Sequence, residues 1–494
     1  MSTRSTILKG GVKLGFGQTT VQACSFARSV IIARLISPQN FGIAALFATT
    51  FSLFEMASNL SAQTLLVQAK DGHDPHLQTT AHFLQVTRGF ALGVLIFVLA
   101  GPLSRMFGVP QARWAFQCLA LGPLFRGLTH LDTSRLQRDM RFGPSVTVDV
   151  SSAIVATLAA FPLAFWLRSY SAMLWLLILQ AGATALGSHL VAERSYGWAF
   201  HRGYVKRIFD FGWPLLINGI LMFGIFEGDR FIIGASKRLF ERAAFSLTDL
   251  GVYSVAFSIT WAPAMFFVNV TSSLFLPVLS RAQENRTQFE RRYLACAQIC
   301  SLVAAAVSMS FILAGGGLVV LVYGQKYAAA AGFIGWLSAM WALRIVRVAP
   351  TLAAMAFGDT RNAMVSNIAR TSALLGMLAV AATGHGVVWI AVCGFVGESI
   401  ALVVCVGRLD RQHGVPYVIL LKPFAVCAGG MAVAAFTVWL GIERLGSTSV
   451  FVFAAVMVIA QCLAMFIAFP GLRREMIGLF VKVHPSLEPE TVAP

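Results

Sequence analysis

Arginine is the residue type whose placement in this chain calls for chemistry. Arg28, Arg88, Arg126, Arg230, Arg344, Arg347 and Arg370 all fall within long apolar stretches. There a cation costs about 2.5–3.5 kcal/mol on insertion scales and needs a carboxylate, a wet cavity or a nearby interface. The planar guanidinium fork donates two parallel hydrogen bonds and never loses its charge, so phosphate or diphosphate is its natural counter-charge besides carboxylate. Arg344 and Arg347 are three residues apart, share a helical face and could clamp one such group. Pro350 just beyond them would loosen the backbone. Arg28 lies well inside the first apolar stretch, and Arg230 holds nearly the equivalent place in the seventh. Arg28, Arg230, Arg344 and Arg347 are therefore the candidate substrate-binding residues. Arg88 and Arg126 lie near the ends of their stretches, where a long side chain snorkels to water. Arg34, in a turn, reads as an interfacial anchor.

Carboxylates inside the apolar stretches are fewer. Glu55 and Glu398 lie nearest mid-stretch and are the candidates for coupling to protons or sodium, because protonation removes a charge that is costly in a low dielectric. The competing reading makes them ion-pair partners of the arginines, and Asp229 beside Arg230 reads as a local contact. His73 and His76 in "HDPH" read as a solvated loop, and all eight cysteines lie in apolar runs without zinc spacing or a disulfide framework. Neither a metal nor a catalytic residue is expected, and the only cofactor would be the coupling ion. Trp166, Tyr170, Trp175 and Tyr253 suit an interfacial aromatic belt. Trp261, Trp336 and Trp341 lie deeper, where they either pack in the core or stack on sugar rings.

The elements that must hold these residues follow from composition. Of 494 residues, 57% are hydrophobic and 12% charged, whereas a soluble protein carries about a quarter charged. At roughly 20 residues per crossing there is room for about fourteen helices and little else. Apolar segments at 10–36, 41–68, 80–103, 111–131, 145–167, 170–192, 208–234, 249–279, 293–322, 328–356, 363–383, 387–407, 418–441 and 450–469 fill that room. The net charge of +17 would suggest nucleic acid in a soluble protein. Here the basic residues gather in alternate loops, including Arg135, Arg138, Arg141, Arg194, Arg202, Lys206, Arg281, Arg286, Arg473 and Arg474. That pattern orients a membrane protein with both termini in the cytoplasm and removes the need for a nucleic-acid partner.

An internal echo organises the segments. "SVIIA" followed by "FGIAALF" near the start answers "RFIIG" followed by "LGVYSVAF" near the middle. The expected architecture is an all-α polytopic membrane protein with two six-helix lobes, 1–193 and 208–407, joined by a cytoplasmic linker at 194–207. Two additional helices at 408–470 and a cytoplasmic tail at 471–494 complete it, and a repeat of this kind places a substrate site between its halves.

"ARLISPQNFGIAAL" (33–46), "LQRDMRFG" (136–143), "FGWPLLINGI" with "DRFIIG", and "LVYGQKYAAAAGFI" with "AFGDTRN" appear in that order. Over residues 8–407 the chain resembles the polysaccharide-transporter (Wzx-like oligosaccharide flippase) branch of the multidrug/oligosaccharidyl-lipid/polysaccharide exporter superfamily. The last two helices match only in hydropathy. The resemblance implies a two-lobed flippase of the bacterial inner membrane. It would move undecaprenyl-diphosphate-linked oligosaccharide repeats to the periplasmic leaflet by alternating access through a cationic cavity, for exopolysaccharide, O-antigen or capsule. Polymerase and chain-length proteins of the pathway are its candidate partners. A membrane-embedded polymerase or ligase would need catalytic groups in a substantial outer loop, and no P-loop, HExxH or GxSxG occurs. A multidrug exporter of the same fold would favour an acidic cavity.

Overall fold

The computed structural model describes residues 3–240, 245–441 and 447–471, and all regular structure among them is helical. The helices are α1 (Thr3–Leu35), α2 (Pro38–Ser58), α3 (Ala62–Gln68), α4 (Pro75–Met106), α5 (Arg113–Leu119), α6 (Leu121–Gly127), α7 (Asp132–Arg138), α8 (Gly143–Leu167) and α9 (Ser171–Leu190). They continue as α10 (Arg202–Leu239), α11 (Leu247–Ser280), α12 (Arg286–Tyr323), α13 (Ala331–Ala356), α14 (Thr360–Thr383), α15 (Val387–His413), α16 (Val418–Trp439) and α17 (Ser447–Ala468). Among the described residues, 12 helices are long and apolar enough to cross a membrane. Their outward faces are apolar: Leu158, Val403 and Ile467 are 72%, 72% and 80% exposed, which water would penalise and lipid does not.

Two of the fourteen expected spans take another form. Segment 111–131 is not one helix but the short pieces α5 and α6, preceded by a 3-10 turn at Pro110–Ala112. Pro123 has no N–H to pair with the Leu119 carbonyl, so the helix breaks there. The first segment is a continuous helix of 33 residues, long enough to span but not apolar enough, because Gln18 and Gln22 line a cavity. The basic tail residues Arg473, Arg474 and Lys482 lie outside the described residues.

The chain divides by packing into two compact units. The first holds Met1–Ala262, Val319–Ala330 and Thr371–Cys393, and the second Pro263–Leu318, Ala331–Arg370 and Gly394–Pro494. This differs from the division drawn from the sequence echo. Helix α10, expected at the head of a second lobe, packs along α2, with Gly219 against the Met56 carbonyl and Gly212 against Leu60.

Within the first unit the echo has a physical counterpart. A Cβ on Gly42 would lie 1.9 Å from the Leu247 carbonyl oxygen, and one on Gly251 would lie 2.0 Å from that of Pro38. The two glycines, aligned by the echo, thus face each other where α2 crosses α11, each against the carbonyl four residues before the other. Only glycine permits backbones this close. Ser37 starts α2 by accepting a hydrogen bond from the Asn40 N–H, with Pro38 at the first helical position. Arg34 is more than an interfacial anchor: its Nε donates to the Val322 carbonyl at 2.7 Å, satisfying the C-terminal end of α12.

Candidate functional site

In the second unit α13, α14 and α15 bring their ionisable residues together. Glu398, fully buried on α15, accepts from Arg347 Nε at 2.7 Å and pairs with Arg370 Nε at 2.5 Å. Arg347 Nη1 also donates to Asn367 Oδ1 at 3.2 Å. Arg344 lies one turn before Arg347, within electrostatic reach of Glu398 and Arg370, with its guanidinium 5.7 Å from the Trp341 ring. The spacing argument thus placed Arg344 and Arg347 on the same helix face, but Arg347 closes on a carboxylate. Arg347 and Arg370 thus close on one buried carboxylate, with the Arg344 guanidinium within electrostatic reach of it.

Arg370 was not singled out as a site residue from the sequence. The available signal was Asn367 and Arg370 at the same three-residue spacing as Arg344 and Arg347. Trp341 is fully buried in the core, whereas Trp336 packs edge-on against Phe395 at 5.6 Å and is itself exposed.

The remaining candidates belong to the first unit. Arg230 pairs with Glu227 at 3.1 Å, lies 3.7 Å from Asp229 and sits over the Phe257 ring at 4.4 Å. Thr49 donates to Glu227 at 3.1 Å and Tyr253 to Asp229 at 2.8 Å. Two carboxylates therefore flank Arg230, and Tyr253 is a buried hydrogen-bond donor rather than a belt residue. Arg28 is buried and donates to Gln180 Oε1 at 2.8 Å.

Glu55 pairs with Arg88 at 3.3 Å on the wall of a cavity of about 860 Å³. Arg88, read from the sequence as snorkelling, is thus Glu55's partner. Arg126 shares the wall, 5.3 Å from the Phe51 ring and near enough to Asp149 to interact with it. The polar lining comes from one face each of several otherwise apolar helices: Gln18 and Gln22 on α1, Asp149 and Ser152 on α8, and Gln180, Thr184 and Ser188 on α9. That three- to four-residue polar spacing was the overlooked signal for a cavity.

Outside the spans, Asp132 organises the chain between α9 and α10. Its carboxylate accepts from Arg135 Nε at 2.6 Å and from the Glu193 N–H at 2.8 Å. Burial raises its pKa, but these donors more than reverse that and hold it well below the usual carboxylate range. In "HDPH", Asp74 caps α4 and His73 faces Asp139 at 3.2 Å. No group of histidine, cysteine and carboxylate residues suited to a metal is present among the described residues.

The chain is similar to several known proteins. The succinoglycan biosynthesis transport protein ExoT of Rhizobium meliloti (strain 1021) is 23% identical over 320 residues, 63% of this chain and 62% of that protein. An uncharacterized membrane protein in the cps region of Klebsiella pneumoniae is 17% identical over 332 residues, 66% of each chain. The matches therefore span just under two thirds of either relative. Among solved structures, the lipid II flippase MurJ in its inward closed conformation superposes with a TM-score of 0.73 at 13% identity, covering 92% of this chain and 98% of that one. An inward-facing multidrug resistance MATE family transporter of the MOP superfamily gives 0.64 at 13% identity, covering 80% and 96%. These likenesses show a shared polytopic helical fold. A family model described as polysaccharide biosynthesis protein matches residues 31–332, and the chain belongs to that family.

Proposed function

We propose that this protein is a flippase that carries lipid-linked oligosaccharide, with undecaprenyl diphosphate as the carrier, from the cytoplasmic to the periplasmic leaflet during surface polysaccharide synthesis. The observation that carries the reading is the cluster of Arg344, Arg347 and Arg370 around Glu398. Guanidinium forks donate paired hydrogen bonds to phosphate as they do to carboxylate, so a diphosphate could take the place that the Glu398 carboxylate fills. In the resting state Glu398 holds two of the guanidiniums in position. On loading, the diphosphate would exchange with the carboxylate, so that binding energy is offset by the ion pairs broken and the cargo is not trapped.

The family and the transport protein of succinoglycan synthesis among its relatives support the polysaccharide setting, and the MurJ-like fold supports a flippase. A cationic drug would meet like charge at this cluster, which disfavours the exporter reading. A transporter of this kind is not an enzyme. It would lie in the inner membrane with both termini cytoplasmic, oriented by its basic loops, and work beside the polymerase and chain-length proteins. Glu398 and Glu55 remain the proposed groups for coupling to protons or sodium.

Deleting the gene should abolish surface polysaccharide while lipid-linked repeats accumulate on the cytoplasmic leaflet. Repeats that reach the periplasm unpolymerised would instead point to a polymerase. Arg28→Ala or Arg344→Ala should lower polymer yield at unchanged membrane abundance, and unchanged yield in both would remove these residues from the site.

A further inference from the structure

We infer that the cavity of the first unit is a subsite for the uncharged part of the cargo, a neutral oligosaccharide held by amide and hydroxyl side chains. This rests on the flippase reading and deepens it. The cavity's charges cancel: Glu55 is paired with Arg88, and Arg126 faces Asp149. It therefore offers a diphosphate no gathering of guanidiniums like that around Glu398. What it offers instead is a set of amides that both donate and accept hydrogen bonds, among them Gln18, Gln22, Gln63 and Gln68, together with the Thr184 hydroxyl, which donates to the Gln180 carbonyl and can still accept. Sugar hydroxyls also donate and accept at once, and glutamine amides match them without favouring either sign of charge.

The volume of about 860 Å³ falls within the roughly 300–1,000 Å³ range of small-molecule sites and has room for a short oligosaccharide. No aromatic side chain lines it among the described residues, so recognition would rest on hydrogen bonds without ring stacking. Such binding tolerates different sugars and releases them readily, which suits a transported cargo. The subsite also explains why α1 is long enough to cross a membrane yet too polar to read as a span: its Gln18 and Gln22 face the cavity.

The test compares two ligands of equal charge on the intact chain in lipid nanodiscs: undecaprenyl diphosphate carrying one sugar, and undecaprenyl diphosphate carrying a neutral tetrasaccharide. Wild type should bind the tetrasaccharide lipid more tightly. The double variant Gln22→Leu, Thr184→Val removes hydrogen-bonding groups at nearly constant volume and should weaken the tetrasaccharide lipid about thirty-fold, the loss of roughly two ordinary hydrogen bonds, leaving the one-sugar lipid nearly unchanged. The conservative pair Gln22→Asn, Thr184→Ser should keep most of the preference, which guards against a general loss of folding. Equal affinities in wild type, or equal weakening of both ligands in the double variant with the conservative pair behaving alike, would overturn the subsite alone. Failure of wild type to bind either lipid would overturn the flippase reading and the subsite with it.

Discussion

Glu398→Gln removes one negative charge from the centre of the second unit and leaves the side-chain shape intact. At an effective dielectric of about 20 and a charge separation of about 4 Å, each carboxylate–guanidinium pair contributes roughly 4 kcal/mol of attraction. Arg347 and Arg370 contact opposite oxygens of Glu398, so two such terms disappear, while the cost of burying the carboxylate is relieved. Removing one partner of a buried ion pair typically costs about 3–5 kcal/mol, and the variant should lose stability of that size because guanidiniums of like charge are left facing one another. The assay is equilibrium unfolding of purified protein in mixed micelles titrated with dodecyl sulfate. Glu55→Gln serves as the comparison. Its single contact with Arg88 at 3.3 Å lies on a cavity wall and should cost only about 1 kcal/mol. A loss below about 1 kcal/mol for Glu398→Gln, or equal losses in the two variants, would refute the claim that Glu398 neutralises the cluster.

Arg347→Lys should lower polymer yield nearly as far as Arg347→Ala, because an ammonium cannot reproduce the fork that engages Glu398 and Asn367 together; yield at the wild-type level in the lysine variant would contradict this. Gly42→Ala and Gly251→Ala should each reduce the thermal stability and yield of folded protein, since the added methyl would meet a carbonyl oxygen at 2.0 Å or less and such overpacking costs about 1–3 kcal/mol or more. Asp132→Asn should speed hydrogen exchange at the Glu193 amide by an amount equivalent to about 1.5–3 kcal/mol, the worth of a hydrogen bond to a charged group. The pH dependence of the same amide follows from Asp132's lowered pKa. The stabilisation is fully present above the unfolded value of about 3.9 and is lost as pH falls through the lower folded value. Protection should therefore hold between pH 7 and 5 and weaken only in stronger acid.

Most of the helical architecture was legible because it rests on local signals. Long apolar runs can only be helices in lipid, where each backbone group must find its partner within the segment. The two exceptions are instructive. The break at Pro123 follows from a proline inside an apolar run, and the polar face of α1 makes sense only once a cavity is present beside it. At the candidate sites, residue types were legible and pairings were not. Arg347 and Glu398 are 51 positions apart, and Arg88 and Glu55 are 33 apart, so no helical periodicity links either pair. Arg230 illustrates the other limit. Its neighbours Glu227 and Asp229 were visible in sequence, but their burial together with Tyr253 and Phe257, which makes the group a buried ion cluster, depends on how α10 packs against α11. For Asp132 only Arg135, three residues on, was visible in sequence, because its partners at 193 and 194 are backbone groups.

The most direct test of the account is movement of the cargo across a bilayer. Purified protein reconstituted in liposomes, with undecaprenyl-diphosphate-linked oligosaccharide initially shielded in the inner leaflet, should render the oligosaccharide accessible to an impermeant glycosidase added outside. The Arg347→Ala variant, incorporated at the same density, should leave most of it shielded. Wild-type liposomes in which the oligosaccharide stays protected while a small cationic dye crosses would contradict the flippase assignment and favour an exporter.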